Sequence, residues 1–81
     1  MDLLEWFNKA IRTTDSLNNG FVFCVKDLFE GVEWTSLAKG DRLKFGKYFK
    51  NEVIEGHVPN VVFMGKSDNN SAKYRKEIEN V

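Results

Sequence analysis

The order of apolar patterns along the chain, which runs helix, strand, helix, helix, strand, turn, strand, predicts an α+β domain of the winged helix-turn-helix class. Three observations carry this expectation. The stretch from Lys39 to Gly56 is long and helix-periodic, two short runs at Phe21–Val25 and Val61–Gly65 are aromatic and β-branched, and a polar turn at Lys66–Asn70 follows the second run. The 81 residues make a single domain over 1–81, with a first helix over 1–14, the second helix of the turn motif over 39–56 and a hairpin wing over 61–76.

Each element has its own signal. Asp2 caps a first helix in which Leu3, Phe7, Ala10 and Ile11 share a face flanked by Trp6. Trp6 and Phe7 give that helix more apolar surface than one core face needs, so self-association is expected. Asp15–Gly20 is turn chemistry. In the strand that follows, Phe21, Phe23 and Val25 are expected on one face, with Val22 and Cys24 on the other. Lys26–Ala38 reads as a short helix broken near Gly31, with Leu28, Phe29, Trp34 and Leu37 toward the core.

The long helix sets Leu43, Phe45, Phe49, Val53 and Ile54 in one broad stripe, and Gly46 in that stripe implies a close backbone approach. Its other side carries Lys44, Lys47, Tyr48 and Asn51. Gly56 is a C-terminal cap, and Pro59 prevents the helix from resuming. Ser71–Lys76 either pairs back as a third strand or opens a C-terminal helix.

Net charge is zero, but its distribution is uneven. Residues 39–50 hold five basic residues and one acid, and residues 66–76 hold four and one. A neutral chain can therefore still present a basic face. The lone Cys24 excludes an internal disulfide and fits a reducing compartment. No apolar run reaches membrane-span length and no signal peptide is visible, so a cytoplasmic protein without membrane contact is expected.

Enzyme chemistry finds little support. One His and one Cys offer no metal site, and no cofactor is implied. Cys24 reads as core, and His57 as a partner for the helix dipole. Gly40 to Gly46-Lys47 has five intervening residues, one too many for a phosphate-binding loop, and lacks the following Ser or Thr.

Binding chemistry survives. Lysines near phosphates release counterions, and exposed aromatics stack on unpaired bases. Lys44, Lys47 and Tyr48 on the long helix, with Lys66, Lys73, Tyr74, Arg75 and Lys76 on or beside the wing, are the expected nucleic-acid contacts. Tyr74 is expected to stack on a base. Tyr48 is as well suited to the rim of the core. Arg42 reads as structural and Asn51 as an ordinary surface amide.

The run VKDLFEGVEWTSLAKGDRLKFGKYFKNEV, followed by VPNVVFMGKSDNNSAKYRK, resembles a small bacterial family once known only as a domain of unknown function, found on phages, plasmids and staphylococcal cassette chromosome elements. The matching features are Lys26-Asp27-Leu28-Phe29, Glu33-Trp34, Gly40-Asp41-Arg42-Leu43, Gly46, Phe49, Pro59-Asn60 and Asn70 to Tyr74. One member is a winged helix that binds single-stranded DNA through basic residues and a tyrosine. The resemblance implies the same fold here, with Tyr74, Lys73, Arg75 and Lys76 as positional matches for those contacts. Two functions from different classes follow. One is a single-stranded-DNA-binding module serving a phage or other mobile element. The other is an adaptor or inhibitor that docks on a host or phage protein.

Overall fold

The Asp2 carboxylate accepts the backbone N–H groups of Leu4 and Glu5 at 3.1 and 3.2 Å. This satisfies donors for which no earlier turn supplies a carbonyl. The helix it starts, α1, spans Leu3–Asp15 in this computed structural model, which describes residues 2–66 and 71–78. Strand β1 (Val22–Phe23) follows, then a 3-10 turn (Val25–Leu28), α2 (Gly31–Thr35), α3 (Lys39–Ile54), β2 (Val61–Lys66) and β3 (Ala72–Lys76). The described residues thus form a small α+β unit of three α-helices and a three-stranded antiparallel sheet of order β1-β3-β2. No helix among them is long and apolar enough to cross a membrane.

The first strand is shorter than its composition implies. The Cys24 N–H donates to the Asp27 carboxylate at 2.9 Å, and the Asp27 N–H donates to the Cys24 carbonyl at 3.0 Å. These bonds turn the chain out of the ladder after Phe23. Phe23, Cys24 and Val25 are all buried while Phe21 and Val22 are exposed, so the expected alternation fails there. The last segment is a strand and not a helix. β3 pairs with β2 at Val61↔Lys76 and Lys66↔Ala72, and with β1 at Phe23↔Tyr74. Of the polar turn expected at Lys66–Asn70, positions 67–70 lie outside the described residues.

Helix α3 buries a narrower stripe than the sequence predicts. Phe45, Phe49 and Val53 face inward, whereas Leu43 and Ile54 are 66% and 60% exposed. Residues four apart drift by only about 40° around a helix, so the first three stay together, while Leu43 and Ile54 fall roughly opposite Phe45. Gly46 does not admit a second backbone, because a Cβ placed there would have nothing within 4 Å. At the helix end, His57 N–H donates to the Glu52 carbonyl at 2.9 Å and Gly56 N–H to the Val53 carbonyl at 3.1 Å. Gly56 supplies the φ of +82° that this paired-bond cap requires. The His57 ring meets Glu52 Oε2 at 2.5 Å.

The core lies between α3 and the sheet. Phe49 sits edge-on to Tyr74 at 5.1 Å, and Phe23 and Phe63 flank the same ring at 5.8 and 5.6 Å. Helix α1 contributes the surplus rings expected to form a self-association patch, and they turn inward. Trp6 packs on Phe29 and Phe45, and Phe7 on Tyr48 and Phe49. Truncating Phe49, which is 0% exposed, to Ala is expected to cost about 3–5 kcal/mol in chemical denaturation. A cost under about 1 kcal/mol would show that this ring is not central to the core.

Candidate nucleic-acid interface

Residues of β3 alternate between two environments. Tyr74 and Lys76 point toward the helices and are 0% and 2% exposed, while Lys73 and Arg75 lie on the outer face of the sheet. Two of the contacts expected from the sequence, Tyr74 and Lys76, are therefore corrected, and Lys73 and Arg75 are set on the other face of the sheet. Tyr74 cannot stack on a base, because its ring is enclosed by Phe23, Phe49 and Phe63. Lys76 donates from Nζ to the Thr14 carbonyl at 2.6 Å in the last turn of α1, where a cation also suits the helix dipole. Arg75 donates to Glu77 at 2.8 Å. Lys73 is half-buried on the face away from α3.

On α3, Tyr48 is half-buried and sits edge-on to Phe7 at 5.4 Å, so it belongs to the rim of the core. Lys44 is exposed.

Lys47 and Lys66 are brought together. Both line a groove of about 420 Å³ between α3 and β2–β3, and Lys26, Arg42 and Lys50 join them. Five cations thus share one concavity, and no acidic side chain is among its described lining residues. Arg42, Gly46 and Lys50 stand one turn apart on one helix face, and the open Gly46 leaves a gap between the two cations. The Lys50 ammonium lies 4.9 Å from the centre of the Phe63 ring, which holds its stem against the sheet.

Lys66 reaches the groove because of a bulge. The ladder shifts register between Phe63 and Gly65, so Gly65 pairs with Lys73 and Lys66 with Ala72. In an unbroken strand Lys66 would share the outer face with Val62. The extra residue returns it to the inner side, and Gly65 takes the φ of +98° that the kink requires. Sequence reading found no signal for Lys26, and it missed Arg42 and Lys50 as site residues. The four-plus-four spacing of Arg42 and Lys50 through Gly46 was the available signal.

Residues 8–76 match the family described as Domain of unknown function (DUF1413). The chain belongs to that family. The match runs from within α1 to the last residue of β3, so every groove residue lies inside this domain of unknown function. No curated protein and no solved structure matches the chain.

Beneath the groove, the Tyr74 hydroxyl is buried without a hydrogen-bond partner among the described residues. Burial, aided by the neighbouring Cys24 thiol, pushes its pKa from 10.0 up to about 12. Removing this hydroxyl deletes a desolvated polar group and little else, so Tyr74→Phe is expected to leave stability unchanged or raise it. The pH dependence has a definite sign. The unfolded tyrosine loses its proton from pH 10.0 while the folded one holds it to about 12, so stability falls as pH rises through that window. Tyr74→Phe should flatten this alkaline loss in thermal melts. A variant that is clearly less stable at neutral pH would mean that the hydroxyl has a partner.

Proposed function

We propose that this chain is a winged helix-turn-helix module that binds nucleic acid, with single-stranded DNA as the favoured ligand, in the groove between α3 and β2–β3. In this reading α2 and α3 form the turn motif and β2–β3 the wing. The observation that carries it is the grouping of Lys26, Arg42, Lys47, Lys50 and Lys66 around one concavity in a chain of zero net charge. Phosphates entering the groove release counterions, which supplies affinity without sequence preference. The concave shape favours a flexible strand. A duplex would be met by a convex helix face, and the exposed arc of α3 interrupts Lys44, Lys47 and Asn51 with the apolar Leu43 and Ile54. The family resemblance of the sequence supports a role in replication or maintenance of a phage or other mobile element, in the cytoplasm and without a cofactor or catalytic step.

A second reading rests on the other side of the sheet. There Val22 and Val62 flank Arg75 in register and are 51% and 36% exposed, with Met64 nearby at 48%. An apolar patch of this kind suits a protein partner, which keeps the adaptor or inhibitor function as the alternative.

Titration of labelled single- and double-stranded oligonucleotides at two salt concentrations separates the readings. Lys47→Gln and Lys50→Gln are each expected to weaken single-strand binding and to reduce the salt slope by about 0.7 for each phosphate no longer neutralised. Lys44→Gln, outside the groove lining, should change it little. Gly46→Leu should obstruct the groove with all charges in place. Parent protein that ignores oligonucleotides at low salt would transfer the function to the outer sheet face.

A further inference from the structure

Two aromatic side chains line the groove, Trp34 and Tyr74, and only Trp34 retains exposed surface. Trp34 lies parallel to Phe29, with ring centres 5.6 Å apart and planes 10° from each other, and Phe29 in turn rests on Trp6 at 4.8 Å. The edge of Phe45 braces the indole at 6.3 Å. These contacts hold the ring from behind and from one side. Helix α2 is itself tied to α1 by the Lys9–Glu33 ion pair. A braced indole loses little freedom when a flat group settles on it.

Leu43 lines the same groove with 66% of its surface exposed. An apolar side chain beside Arg42 and Lys47 contributes nothing to phosphate binding. It does suit the face or edge of a base.

We infer that Trp34, with Leu43 beside it, is the base-stacking position of the groove, extending the Trp6–Phe29–Trp34 array by one unpaired base while the surrounding cations hold the phosphates. This rests on the nucleic-acid function proposed for the groove and deepens it. A base within a duplex is already stacked on both faces, so an indole in a groove wall selects for unpaired strands. The aromatic role expected of Tyr74 passes to a residue on the opposite wall, because the inward face of β3 encloses the tyrosine and α2 leaves the tryptophan accessible.

The test uses the full chain carrying Trp6→Phe, which leaves Trp34 as the sole tryptophan. It is titrated with a single-stranded oligothymidine and with an abasic strand of equal length and charge. The base-bearing strand should quench Trp34 emission and bind about 5- to 150-fold more tightly for one stacked base, with the same salt slope. Trp34→Leu, checked for folding by circular dichroism, should erase the difference between the two strands and retain the affinity for the abasic one. Equal affinity for both strands with unaltered Trp34 emission would overturn the stacking role and leave phosphate binding in place. Failure of both strands to bind at low salt would remove the nucleic-acid reading together with this inference.

Discussion

Strand β3 is hydrogen-bonded on both sides, and the parity of its side chains constrains the rest of the molecule. Tyr74 and Lys76 face the helices; Lys73 and Arg75 do not. The Tyr74 ring gives α3 its seat through Phe49, and the Lys76 ammonium closes the end of α1. A slip of one residue would exchange these pairs, placing Lys73 and Arg75 in the core and the tyrosine in water. That cost pins the register even though β1 contributes only two residues to the ladder.

The groove depends on the same constraint together with two local departures from regularity. One is the bulge at Met64–Gly65, which rotates Lys66 back toward α3. The other is Gly46, a weak helix former retained in the middle of α3, where it leaves open space between Arg42 and Lys50. Regular structure at either place would bury the fold's core equally well. It would also close the concavity or remove one of its charges.

Much of the fold was legible in the sequence because its strongest signals are local. The Asp2 cap, the Gly56 stop and the periodicity of α3 each act within a few residues. The site was less legible, because side-chain direction on a short strand depends on register and not on composition. Lysine, tyrosine, arginine and lysine in a row at positions 73–76 read as one basic cluster around a ring. Pairing divides them between two faces, and the inward pair goes to structure. Arg42 and Lys50 were obscured for the opposite reason: they lie near the apolar arc of the helix, and only the position of the sheet shows that this arc ends in a groove. Trp34 was read as core, which it is on one face.

The Lys76–Thr14 bond joins residues 62 positions apart, across the first helix and the last strand. The last turn of a helix ordinarily frays, and its amides exchange with solvent through small local openings. Here the last turn of α1 cannot unwind without withdrawing the carbonyl from a buried ammonium. Amides near Thr14 should therefore exchange at rates that follow the opening of the central strand. The last turn of α1 and the central strand would then belong to one cooperative unit.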